Sequence, residues 1–234
     1  MEIEVAAVKI GKWATSESGD TLEMIERPHG GLSLVLVDGQ RSGRAAKAVS
    51  NLAARKAISE LAEGIRDGAA ARATHDYLYT HRGGKVSATL NILSVDLRSK
   101  TLVLSRNSHC PIVILRPDGA LEVLNKASEP IGVRRGTKPD ITEVPLLVGT
   151  MVIVYTDGLP SAGARSCNVF DVPATIAEIT AERNPSAHEL ADDLFERAME
   201  LDDRRPRDDI SVVVLKVAER TPSDARRLVV RIPL

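Results

Sequence analysis

Three aspartates occupy positions that few folds can satisfy. Asp38 closes an apolar run at residues 32–37 and is followed by Gly39. Asp157 closes a second run at 151–156 and is followed by Gly158, and Asp208, with Asp209 beside it, immediately precedes a third at 210–217. Each run is rich in branched residues and reads as a buried strand. A carboxylate at the end of a buried strand is costly unless it is paired, hydrogen-bonded or bound to metal. Three such ends converging on one sheet edge would form a set of hard oxygen ligands suited to Mg²⁺ or Mn²⁺. Taken singly, an Asp-Gly pair reads as a turn and Asp208-Asp209 as a solvated loop; only the set carries the metal reading.

The rest of the pattern says what kind of sheet this is. Residues 43–63 put Ala45, Val49, Leu52, Ala53, Ile58, Leu61 and Ala62 on one helical face, with Ser42 as N-cap. A weaker helix is expected at 67–80. Strand-like segments follow at 87–95, 101–106, 112–116 and 120–124, with hairpin turns at Arg98-Ser99-Lys100 and Pro117-Asp118-Gly119. Residues 141–147 and 151–156 read as another pair around Gly149-Thr150. Helices are expected at 173–183 and 186–201, the second opening on a capping box of Ser186 and Glu189. Strands and helices come in clusters rather than in strict alternation, which argues against a doubly wound sheet and for packed antiparallel sheets flanked by helices. Residues 218–234 form a tail with a short apolar strand at 228–232.

Several function classes are excluded. The chain of 234 residues carries 31 basic and 32 acidic side chains, so no large positive field is available for nucleic acid. One Trp, three Tyr and two Phe are too few for a base-stacking platform. The longest apolar stretch, 144–155, is interrupted by Pro145, Gly149 and Thr150 and falls short of the roughly 20 residues of a membrane helix. No signal peptide is visible, and the two distant cysteines, Cys110 and Cys167, read as buried free thiols of a reducing compartment; a soluble, cytoplasmic protein is expected. There is no GxxxxGK[ST], GxGxxG or GxSxG, and the five histidines show no zinc spacing.

The motifs SGDTLEM (18–24), VDGQRSGRAA (37–46), SATL (87–90), NSHCP (107–111), EPIGV (129–133), YTDGL (155–159) and RDDISVVVL (207–215) occur in that order. The set resembles the PPM family of metal-dependent protein serine/threonine phosphatases, in its SpoIIE-like branch and most nearly the short RsbX type. The resemblance covers residues 6–217 and implies an α+β fold, a four-layer α-β-β-α sandwich of two antiparallel sheets flanked by helices. It implies a phosphatase domain at 1–217, followed by the tail at 218–234. By resemblance, Asp38 bridges two divalent ions, Mn²⁺ or Mg²⁺, Gly39 offers a carbonyl, and Asp157 and Asp208 are the remaining ligands. Asp20 and Asp209 hold the surrounding shell, and a water activated by both ions attacks phosphorus in line. NSHCP and EPIGV resemble structural signatures, with His109 a packing or turn residue.

Two positions depart from the branch. Arg41 stands where glycine is usual; it grips a substrate phosphate, crowds the site or points to solvent. Gln40 replaces a histidine frequent in other PPM enzymes. The implied substrate is a phosphorylated STAS-domain protein in a partner-switching or stress-signalling module, with no nucleic acid and no membrane partner. The rival readings are a non-catalytic binding module of the same fold and a two-metal hydrolase of small phosphate esters.

Overall fold

The computed structural model describes residues 1–165, 168–223 and 225–232. Cys167 lies outside the described residues. The described residues form ten strands and five helices. One sheet takes β1 (Glu2–Ile10), β10 (Ile210–Ala218), β9 (Met151–Tyr155), β6 (Ile112–Leu115) and β7 (Leu121–Leu124), in that spatial order. The other takes β2 (Asp20–Glu26), β3 (Gly31–Gly39), β4 (Ala88–Asp96), β5 (Thr101–Asn107) and β8 (Asp140–Pro145). All pairings are antiparallel.

The apolar runs are continuous because both faces of their strands are covered. In β3, Leu34 and Leu36 point between the sheets while Val35 and Val37 meet helices α1 (Gly43–Ala62) and α2 (Asp67–Arg82). In β10, Val213 and Leu215 face the other sheet, while Val212 and Val214 pack against α4 (Val172–Glu182) and α5 (Ala187–Leu201). This period-two partition yields three apolar cores and four layers, the expected α-β-β-α sandwich. The capping box forms: Ser186 Oγ accepts from Glu189 N at 3.2 Å, and Glu189 Oε2 accepts from Ser186 N at 2.7 Å. Ser42 occupies the N-cap position of α1 but makes no side-chain capping bond.

The structure departs from the sequence pattern in three places. Residues 141–147 and 151–156 do not pair: β8 ladders onto β5, and β9 onto β6 and β10. The link between them carries the chain from one sheet to the other. It is held by Leu146 N to Lys100 O at 3.0 Å and Gly149 N to Val217 O at 2.8 Å. Strands β1 and β2, unmarked in the sequence pattern, lie at sheet edges where one face stays partly open. The strand expected at 228–232 is not formed among the described residues; Leu228, Val229, Val230 and Ile232 are exposed. The tail instead touches both sheets through side chains, Thr221 to Glu2 and Arg226 to Glu26, and ladders onto neither.

The NSHCP and EPIGV segments meet. Asn107 Nδ2 donates to the carbonyls of Glu129 (2.9 Å) and Lys138 (3.2 Å). Ile131 bridges Ala88, and Ala88 pairs with Gly39. Gly132 N donates to Nδ1 of the buried His75 at 3.0 Å. Among the described residues, no helix is long and apolar enough to cross a membrane.

Candidate metal centre

Antiparallel pairing brings the sequence-distant aspartates together. Asp157 follows β9 and Asp208 precedes β10; these strands are neighbours, with Val212 opposite Tyr155 and Thr156 N donating to Ser211 O at 3.0 Å. In the other sheet Asp38 stands opposite Asp20. Both sheets end at this edge, and Asp38, Gly39, Arg41, Asp157 and Asp208 line one cavity of about 320 Å³ together with Lys12, Gln40 and Ser42.

The two Asp-Gly pairs are not left-handed turns, since neither Gly39 nor Gly158 has positive φ. Their glycines serve close backbone approach. A Cβ on Gly39 would lie 2.1 Å from Ala46 O, and one on Gly158 would lie 2.1 Å from Asp209 O. Helix α1 and the start of β10 therefore sit directly on the segments that carry Asp38 and Asp157. The four-residue helix α3 (Gly158–Ser161) begins at once, with Asp157 at its N-cap position.

Asp20 and Asp209 differ in role. Asp20 is fully buried, and its Oδ2 accepts from Ser211 Oγ at 2.6 Å and Thr156 Oγ1 at 3.0 Å, so it joins one sheet to the other. Its Oδ1 has no partner. Its backbone carbonyl accepts from Lys47 Nζ at 2.6 Å and from Lys9 Nζ. Asp209 does not line the cavity. Its two oxygens accept from Lys12 N and Gly19 N, each at 2.8 Å, and so close the loop between β1 and β2.

The carboxylates are held against their own repulsion. Burial first, then the charges of Asp20, Asp157 and Asp208, push Asp38 up to about 9. Burial raises Asp20 to about 6 against the hydrogen bonds of Ser211 and Thr156. Asp157 is raised by burial and by Asp208. This is a set of like-charged oxygen donors, and Asp20 Oδ1, on the strand beside Asp38, is a buried acceptor without a hydrogen bond. Among the described residues no three His, Cys, Asp or Glu side chains close on a single point. Mg²⁺ commonly takes one or two carboxylates and keeps several waters, so carboxylates ringing an open cavity fit hydrated divalent ions.

The neighbours complete the setting. Gln40 pins the turn after β3 to Ser87, donating N to Ser87 O at 3.0 Å and accepting from Ser87 N at 3.1 Å. Lys12, unmarked in the sequence pattern, brings a cation to the cavity; its signal was the end of β1, which the pattern did not reveal as a strand. His109 is exposed rather than packed and sits in a bend after β5, the turn alternative of the sequence reading. Cys110 is a buried free thiol, pushed up to about 12 by burial.

Comparison with known proteins agrees with this fold. The family model described as Stage II sporulation protein E (SpoIIE) matches residues 28–218. The chain is 22% identical over 220 residues to stage II sporulation protein E of Bacillus subtilis (strain 168), covering 94% of this chain and 26% of that protein. It is 23% identical over 207 residues to that of Priestia megaterium, covering 88% and 34%. The chain thus spans about a quarter to a third of the length of these relatives. Among solved structures, the PP2C phosphatase domain of SpoIIE from Bacillus subtilis, with a fragment of its regulatory domain, superposes with a TM-score of 0.80 at 22% identity, over 94% of this chain and 64% of that one. The RsbU and RsbW domains of a Mycobacterium tuberculosis protein give 0.76 at 22%, over 94% and 61%. RsbX in complex with magnesium gives 0.72 at 17%, over 92% and 96%. Matched over most of its length, and carrying its strand-end aspartates on one edge of the same sandwich, the chain belongs to the SpoIIE family.

Proposed function

We propose that the chain is a metal-dependent protein serine/threonine phosphatase. The observation that carries the proposal is the set of mutually repelling carboxylates that line one cavity, Asp38, Asp157 and Asp208, with the buried, unsatisfied Asp20 Oδ1 on the strand beside Asp38. In this reading Asp38, the Gly39 carbonyl, Asp157 and Asp208 hold two divalent ions, Mg²⁺ or Mn²⁺. When bound, such ions offset the charge of a phosphomonoester and supply a nucleophilic water at neutral pH. The chain's own groups do the rest. Asp20 Oδ1 offers an acceptor to a water, and its fixed bonds to Ser211 and Thr156 keep that acceptor in place. Lys12 and Arg41, the cations of the cavity, orient the phosphate, arginine being able to grip it through two parallel hydrogen bonds. Asp209 keeps Lys12 in position by holding its backbone.

The substrate we infer is phosphoserine or phosphothreonine on a STAS-domain regulator in a partner-switching or stress-signalling module. A similar solved structure combines its RsbU domain with an RsbW domain, and another similar structure, RsbX, holds magnesium. The deciding experiment is hydrolysis of para-nitrophenyl phosphate by the purified protein with Mn²⁺, with Mg²⁺ and with chelator, alongside Asp157→Asn. Metal-dependent turnover that disappears in the variant is the expected result. A folded protein that binds Mn²⁺ and turns over nothing would overturn the enzyme reading in favour of a binding module.

A further inference from the structure

The loops that frame the cavity carry two exposed side chains, Trp13 and Arg205, that the chemistry above does not use. Trp13, the chain's one tryptophan, is 57% exposed. It stands beside Lys12, which lines the cavity. The Arg205 guanidinium lies over its ring, 5.4 Å from the centroid. Trp13 N donates to Pro206 O at 2.9 Å, tying this loop to the one that ends in Asp208. The pair therefore joins the two loops that bring Lys12 and Asp208 to the cavity.

Three features separate this surface from incidental exposure. First, it is built rigidly. Asp209 clamps both ends of the loop at Lys12 and Gly19, and Thr15 folds back on Lys12 O through N (3.1 Å) and Oγ1 (2.7 Å). Second, strain collects there. Of the non-glycine residues with positive φ, Ala14 (64°), Arg41 (77°), Asp203 (50°) and Arg204 (59°) all lie in the loops that frame the cavity; strained backbone of this kind gathers at working sites. Third, exposed guanidinium groups stand there without a carboxylate partner. Arg41, Arg205 and Arg207 are exposed and make no ion pair among the described residues, while Arg204 is engaged by Glu196. Glu17 and Asp203 are the exposed carboxylates of the loops at 11–19 and 202–209. Tryptophan and arginine are also the residues that most often dominate protein–protein binding.

We propose that Trp13 and Arg205 form a docking platform for the segment that flanks the phosphorylated residue, and that this segment is acidic. The surface thereby selects phosphoproteins with Asp or Glu near the phosphosite over small phosphate esters. The inference rests on the phosphatase reading for its substrate. Indole and guanidinium make a flat amphipathic face beside the cavity, onto which an extended acidic segment can lie while its phosphate enters.

The test compares three substrates on the full chain with Mn²⁺: para-nitrophenyl phosphate, a phosphoserine peptide flanked by Asp and Glu, and the matched peptide flanked by Lys. The expected result is a preference for the acidic peptide, with the ratio of its kcat/KM to that of the aryl ester falling about tenfold in Trp13→Ala, the order of a hot-spot loss. In Arg205→Glu the preference between acidic and basic peptides should invert. Ratios that stay within twofold of the parent in both variants would overturn the proposal. A second arm needs no turnover: the emission of Trp13, the lone tryptophan, is followed as the acidic peptide is titrated into Asp157→Asn. A saturable change expected with the acidic peptide and not with the basic one supports docking even if no substrate is hydrolysed, in which case only the phosphatase reading fails. Turnover of all three substrates with silent Trp13 emission and unchanged ratios would sink the docking platform and leave the phosphatase intact.

Discussion

Arg41 lines the cavity at a cost to the fold. Its φ of 77° is a conformation that glycine adopts freely, and a side chain there costs on the order of 1–2 kcal/mol. Arg41→Gly should therefore raise stability to denaturant by about 1 kcal/mol. The same change should lower kcat/KM for para-nitrophenyl phosphate about tenfold, the order of one charge-assisted hydrogen bond. An activity equal to or above the parent's would show that Arg41 does not grip phosphate. The strand-end aspartates were legible because a carboxylate after a buried apolar run demands an explanation. The division between Asp208 and Asp209 was not. Neighbouring side chains point apart, and what directs Asp209 away from the cavity is a pair of backbone amides, Lys12 N and Gly19 N, far off in sequence. The meaning of the two Asp-Gly pairs was hidden for a similar reason: the atoms that require glycine, Ala46 O and Asp209 O, belong to other segments.

At the scale of elements, what local chemistry writes was readable and what pairing decides was not. The capping box of α5 is complete, so Ser186→Ala should lower unfolding free energy by about 1 kcal/mol. Turnover should be unchanged, because α5 packs on the face of its sheet formed by β1 and β10, away from the other sheet. A loss of activity at unchanged stability would contradict this. Helices and hairpins announce themselves through caps, periodicity and turn residues, and these segments fell where the pattern put them. Residues 141–156 look like one more hairpin, yet the link around Gly149 crosses between layers, since each strand finds its partners in a different sheet. Edge strands β1 and β2 bury one face only in part, which blurs their alternation. The apolar tail has the composition of a strand, but its contacts divide between two sheets and no ladder forms among the described residues.

At the scale of the whole molecule, the carboxylate edge sets a pH response. Asp20 and Asp38 ionise near pH 4 when unfolded and at about 6 and about 9 in the fold. Between those values the folded chain holds more protons, so these groups stabilise it at low pH and that contribution is lost as pH rises. In chelator, the stability advantage of Asp38→Asn over the parent should therefore widen from pH 5 to pH 8. Mn²⁺ should raise the parent's Tm more at pH 8 than at pH 5, and the variant's less than the parent's. Thermal melts with and without Mn²⁺ check both, and a difference independent of pH would count against the picture. The same edge has a mechanical meaning. Apolar faces between stacked sheets attract without direction and would let one sheet slide over the other. Asp20, held by Ser211 and Thr156 across the gap, acts as a dowel that sets their alignment. The joint that registers the two halves thus stands opposite Asp38, which lines the cavity, so drift in the relative position of the sheets is reported directly as misalignment of the carboxylates.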